Sequence, residues 1–212
     1  GRFVNSQKVI ALILGHLCRN RGWNGRVVLN TTSSILTRRV ARELGCKLSI
    51  KPVGFKHIYS EMKKRDVLLG GGESGGVGIA HHMPERDGLL VNLLLCEAMA
   101  VTGKSLAELV DELESYFGRY YYARRDLRID PEIVEMLRTV LPGLNPPMVA
   151  GRVPVHVSHM DGLRLEFDDE SWILLRPSQT EPLIRVYAEA QTIEMRDELL
   201  DAGIDLAHGE VT

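Results

Sequence analysis

Two stretches of this chain concentrate side chains able to hold a charged, hydroxylated ligand. The first runs Gly70-Gly71-Gly72-Glu73-Ser74-Gly75-Gly76-Val77-Gly78 and on through His81-His82-Met83-Pro84-Glu85-Arg86-Asp87-Gly88. Six of its first nine residues are glycine, which reaches backbone conformations a Cβ forbids and lets a ligand approach the main chain. A carboxylate (Glu73), a hydroxyl (Ser74), an imidazole pair and a cation (Arg86) follow closely, a mixture suited to a polyhydroxylated, anionic ligand. The second stretch is Arg176-Pro177-Ser178-Gln179-Thr180-Glu181-Pro182, with Arg185 just beyond. Arginine offers a planar, permanently charged fork that matches phosphate oxygens. Ser178 and Thr180 add hydroxyl donors, and a tight turn can present its amides as an anion-binding nest. By itself this stretch also reads as a polar hairpin loop with Arg176 in a surface ion pair.

The elements around the glycine stretch place it at a sheet edge. Val67-Leu68-Leu69 leads in as a buried strand, and an apolar helix from Leu89 to Val101 leads out. Ligands of α/β sheets bind at such strand-end loops. Gly70 to Gly75 formally matches G-x-G-x-x-G, but a dinucleotide site needs a helix to open at once, and none opens before about Leu89. The plain alternative is a flexible surface loop. Upstream, Asn5 or Ser6 caps a largely buried helix, and Arg26–Asn30 is a strand. Thr31-Thr32-Ser33-Ser34 then opens a helix ended by Gly45; the hydroxyls either cap it or bind an anion there. Lys47–Lys51 is a strand, Pro52–Lys56 a turn, and a helix runs from about His57 to Lys64. Lys56 thus joins the same edge as the glycine loop, as a ligand contact or a solvated lysine. Ser105 with Glu108 forms a capping box on a helix reaching Phe117. This alternation predicts a parallel sheet with helices on its faces.

From Gly118 the character changes. Arg119-Tyr120-Tyr121-Tyr122-Ala123-Arg124-Arg125 reads as a strand with alternating faces rather than a nucleic-acid platform. A helix follows from Pro131 to Leu141, then an antiparallel meander over Val153–Ser158, Leu163–Phe167 and Ser171–Leu175, a strand Leu183–Ala190 and a closing helix from Thr192 to about Ala207. The fold class is therefore α/β over 1–118, with a parallel sheet and flanking helices, followed by a smaller α+β domain with an antiparallel sheet over 119–212. The 212 residues are 44% apolar and 25% charged with net charge −2, so no nucleic-acid footprint is visible. No apolar run is long enough to span a membrane, and no signal-peptide layout opens the chain. Cys18, Cys46 and Cys96 are far apart in apolar contexts. They read as reduced core thiols of a cytoplasmic protein, and no metal site is expected from them.

GGGESGG…HHMPERDG resembles the sugar-binding loop of the α-D-phosphohexomutases, phosphoglucomutase and phosphomannomutase, whose common form is GGEESGG…H-I-P-E-K-D-G. RPSQTEPLIRVYAEA, from Arg176 to Ala190, is similar to their phosphate loop R-P-S-G-T-E-P-x-x-R-x-Y-x-E. The resemblance implies the third and fourth of four domains, behind a stub of the second. It implies an intramolecular phosphotransferase interconverting hexose 1-phosphate and 6-phosphate, with Mg²⁺ and a glucose 1,6-bisphosphate-type activator in the full-length enzyme. Sugar contacts fall to Glu73, Ser74, Gly75, Lys56 and Arg86. The non-reacting phosphate falls to Arg176, Ser178, Gln179, Thr180 and Arg185. The family's catalytic-serine motif (T-A-S-H-N-P-like) and Mg²⁺ motif (D-x-D-x-D-R-like) do not occur in these 212 residues. The chain is therefore expected to contain no catalytic residue, to be inactive alone, and to partner hexose phosphate and the missing N-terminal domains. The alternative is a stand-alone, non-catalytic sugar-phosphate-binding or regulatory module. Two departures stand out: Gly72 replaces the first Glu of G-E-E-S, and Gln179 replaces the loop glycine.

Overall fold

The apolar runs before Asn30, Lys51 and Gly71 become three neighbouring parallel strands. β1 (Arg26–Asn30) lies between β2 (Leu48–Lys51) and β3 (Val67–Gly71). A fourth strand, β4 (Val77–Ile79), pairs antiparallel with β3 and completes the order β2-β1-β3-β4. The sheet is thus mixed, not wholly parallel. The edge strand lies in what reads as continuous loop, because glycine has little intrinsic strand preference. The computed structural model describes residues 1–178 and 180–209, and the chain divides into two units, Gly1–Arg119 and Tyr120–Thr212.

In the first unit, α1 (Ser6–Arg19) and α3 (Phe55–Met62) cover opposite faces of β3. Successive strand residues point to opposite faces. A Cβ on Gly70 would collide with Ile58 Cγ2 of α3 and lie 2.7 Å from Met62 Sδ, and one on Gly71 would lie 3.0 Å from Ile10 Cδ1 of α1. α2 (Ile35–Glu43), α4 (Gly88–Thr102) and α5 (Leu106–Phe117) complete the unit. The capping box on α5 is formed by Ser105 and Glu108. α3 begins at Phe55, two residues earlier than the pattern suggests, behind Gly54 at φ 124°. Lys56 therefore sits in the first helical turn rather than in a turn before it.

The second unit is a five-stranded antiparallel sheet, β5 (Tyr121–Arg128), β6 (His156–Ser158), β7 (Leu163–Glu166), β8 (Trp172–Pro177) and β9 (Leu183–Ala190), ordered β5-β9-β8-β7-β6. Leu165, Ile173, Leu175, Val186 and Ala188 form one face and pack with Val134 and Leu137 of α6 (Pro131–Val140) and Leu199 and Leu200 of α7 (Ile193–His208). β6 is shorter than its apolar pattern suggests, and Val153 and Val155 are exposed.

The cysteines differ from expectation. Cys96 is exposed on α4, and only Cys46 is fully buried. Cys18 and Cys46, distant in sequence, place their sulfurs 3.7 Å apart, and burial, then Cys46, pushes the Cys18 thiol up to about 12. No single helix among the described residues is long and apolar enough to cross a membrane.

The crowding at β3 sets a testable asymmetry between glycines. Gly70→Ala forces a methyl into Ile58 and Met62 and is expected to cost about 1–3 kcal/mol. Gly15→Ala, mid-helix in α1 with nothing within 4 Å of its Cβ position, is expected to stabilise by about 0.5–1 kcal/mol. Chemical denaturation of both variants measures these opposite signs.

Candidate functional site

The segments following β1, β2 and β3 all leave the same edge of the first sheet. The glycine segment closes there as a tight loop, with Gly72 N donating to Gly76 O and Gly75 N to Gly72 O, both at 3.1 Å. Gly75 stands at φ 90°, a conformation that favours glycine. Ser6 Oγ at the head of α1 donates to the Glu73 carbonyl at 2.6 Å. The Glu73 carboxylate turns toward β1, where Oε2 accepts from Asn30 Nδ2 at 2.7 Å and Thr32 Oγ1 at 3.1 Å. Asn30 Oδ1 in turn accepts from Ser33 Oγ at 2.8 Å and lies 2.9 Å from Thr32 Oγ1. Asn30, Thr32 and Ser33 are buried, so the polar network belongs to the fold, while Ser74 and Gly75 are exposed at the loop tip.

Arg86 joins this loop through packing. Its guanidinium lies 5.0 Å from the Phe55 ring centroid, and its Cδ is 2.5 Å from where a Gly76 Cβ would be. Lys56, next to Phe55, is exposed. The structure therefore brings Glu73, Ser74, Gly75, Lys56 and Arg86 to one rim. It separates the imidazole pair: His81 packs edge-on to Trp23 at 4.5 Å, whereas His82 Nε2 lies 3.0 Å from Asp87 Oδ2. Asp87 caps α4 through the Leu90 amide, and that bond, followed by His82, holds its carboxyl below the usual range. The segment after β1 is tied to two helices: the Ser34 hydroxyl caps α2, and Gln7 of α1 accepts from the Ser34 amide and donates to the Thr32 carbonyl.

In the second unit, Arg176 and Arg185 are directly opposed across β8 and β9. Like charges so placed repel, and carboxylates offset them. Arg176 Nε lies 3.0 Å from Asp161 Oδ2, both largely buried, and Arg185 Nη2 lies 3.1 Å from Glu181 Oε2. The Asp161-Gly162 turn presses so closely on β8 that a Gly162 Cβ would overlap the Leu175 carbonyl oxygen. Ser178 is the hub of the loop between the strands. Its amide donates to Leu183 O at 2.9 Å, and its Oγ accepts from the amides of Thr180 at 3.4 Å and Glu181 at 3.3 Å. Arg138 of α6 donates to its carbonyl. Arg176, Ser178, Thr180 and Arg185 are thus gathered at one loop; Gln179 lies outside the described residues.

Nothing in the residue order singles out Arg138 or Asn30, and Thr32 stands out only as one of four hydroxyls ahead of α2. Arg138 reads as one charge on an amphipathic helix, and Asn30 as a strand-end residue. A cavity of about 290 Å³ lies between α6 and the loop, lined by Glu135, Arg138, Thr180, Glu181 and Pro182 among others. Removing the hub hydroxyl by Ser178→Ala is expected to cost about 1 kcal/mol and to speed hydrogen exchange at the Thr180 and Glu181 amides. Unchanged exchange at both would contradict the hub role.

A family model described as phosphoglucomutase/phosphomannomutase, alpha/beta/alpha domain III, matches residues 5–116, and one described as the C-terminal domain matches residues 152–205. The chain is 30% identical over 206 residues to a phosphoglucomutase/phosphomannomutase of Thermococcus kodakarensis, covering 97% of itself and 42% of that relative. A crystal structure from Thermus thermophilus, assigned as a phosphomannomutase, aligns over 95% of this chain and 40% of its own at 35% identity, with TM-score 0.75. The fold alone is shared with an N-acetylphosphoglucosamine mutase of Aspergillus fumigatus solved in complex with GlcNAc-6P and magnesium, at 14% identity over 99% of this chain and 45% of that one, TM-score 0.63. The chain spans less than half the length of these proteins. It belongs to the phosphoglucomutase/phosphomannomutase family.

Proposed function

We propose that this chain is the hexose-phosphate-gripping part of a phosphohexomutase that interconverts hexose 1-phosphate and 6-phosphate. The observation that carries the reading is the opposed pair Arg176 and Arg185 beside a loop whose amides turn about Ser178. Two guanidiniums on one sheet face offer forked donors that an incoming phosphate dianion would share with, or take from, Asp161 and Glu181. Ser178, Gln179 and Thr180 would complete the phosphate grip. In the first unit, Glu73 would accept from sugar hydroxyls, Ser74 and the Gly75 amide would donate, and Lys56 and Arg86 would supply positive charge at the rim.

Phosphoryl transfer is chiefly positioning plus electrostatic stabilisation. The residues here supply the positioning: they hold the ring and the phosphate that does not react. Magnesium would supply charge neutralisation, but among the described residues no group of three or more His, Cys, Asp or Glu side chains is placed to hold a metal ion. The metal does not fit the described part of the protein. The 212 residues alone are expected to show no mutase turnover. A glucose 1,6-bisphosphate-type activator would use the same two loops.

Arg185 makes the cleaner test of the phosphate loop, because Arg176→Ala would also break the close ion pair with Asp161. Arg185→Ala is expected to weaken glucose 1-phosphate binding by about 1.5–3 kcal/mol in calorimetry, with Lys104→Ala, whose exposed ammonium pairs with Glu112 in the first unit, near the parent value. Equal affinities for the parent and both variants would refute the phosphate assignment.

A further inference from the structure

We infer that Asn30 and Thr32 are positioning residues that aim Glu73 at a ligand hydroxyl and so set the preference for a hexose phosphate over phosphate itself. The inference rests on the reading of residues 72–76 as a sugar loop. The hydrogen-bond network around Glu73 supports it. A hydroxyl has one proton to give. Ser33 Oγ donates to Asn30 Oδ1 at 2.8 Å, and Thr32 Oγ1, 2.9 Å from that oxygen and 3.1 Å from Glu73 Oε2, bridges the two acceptors with its single proton. Asn30 Nδ2 brings a second donor to the same oxygen at 2.7 Å. Both donors therefore converge on Oε2, while Oε1 takes no hydrogen bond from the described residues. One carboxylate oxygen is anchored to a buried strand end, and the other remains an acceptor at a partly exposed loop.

Gly72 and Asn30 are sterically matched. A Cβ on residue 72 would lie 2.9 Å from Asn30 Nδ2, so a side chain at 72 would displace the amide that anchors Glu73. With no side chain at 72, the loop's acceptor is Glu73, and its aim depends on β1 rather than on the loop. Main-chain bonds alone would leave a three-bond glutamate side chain to sample many rotamers.

The test is calorimetric titration of the chain with glucose 1-phosphate and, separately, inorganic phosphate. Thr32→Val keeps the shape of residue 32 and removes its proton. It is expected to lower glucose 1-phosphate affinity by about fivefold to tenfold with inorganic phosphate affinity unchanged, and Thr32→Ser is expected to restore it. Glu73→Gln should show the same selective loss. If Thr32→Val lowers the melting temperature but leaves both affinities at parent values, the positioning role is overturned. Should that variant lose cooperative melting, Asn30→Asp, nearly isosteric and placing a carboxylate against Oε2, is judged by the same two affinities. A parent chain that binds glucose 1-phosphate no better than phosphate overturns the sugar-loop reading, and this inference with it.

Discussion

The absence of side chains where β3 runs between two helices is the constraint on which the first unit depends. Gly70 faces Ile58 and Met62, Gly71 faces Ile10, Gly72 faces Asn30, and Gly78 on the paired edge strand faces Met62 and the Glu85 carbonyl. Cores are packed densely enough that one added methyl is felt. Close approach lets α3 and α1 settle on the two faces of the strand, which in turn brings Ser6 to the Glu73 carbonyl and Phe55 under Arg86. The glycines thus shape the rim twice, by letting helices come near and by leaving the loop backbone open to solvent.

The second unit solves an electrostatic problem in place of a steric one. Arg176 and Arg185 repel across adjacent strands, and Asp161 and Glu181 each hold one of them from a turn or loop. The two differ in setting. Arg176 is buried against its carboxylate, where removing one partner of an ion pair leaves the other uncompensated. Arg185 is half-exposed, and its partner Glu181 sits on the exposed loop itself. Arg176 therefore has a structural share in the site that Arg185 has much less of. Ser178, tied to strand, helix and loop at once, fixes the backbone between them.

Much of this was legible in residue order because the signals are local. The helix caps at Asn5, Ser34, Ser105 and Thr192 follow from side-chain chemistry within three residues. The parallel strands follow from apolar runs between helical periods. What stayed hidden depends on contacts between distant segments. β4 has three residues, one of them glycine, and exists by pairing with β3. The anchoring of Glu73 joins positions 41 and 43 residues apart, and Arg138 reaches Ser178 across 40. Cys96 on α4 misled for another reason: a helix apolar on nearly every side gives no periodicity to tell its inner face from its outer one.

The most direct measurement is amide NMR of this chain titrated with glucose 1-phosphate. If the glycine loop takes the sugar and the arginine loop the phosphate, the amides of Ser74, Gly75 and Gly76 and those of Thr180, Glu181 and Arg185 shift together with one dissociation constant. Shifts confined to the arginine loop, or to residues in neither loop, would contradict the joint assignment.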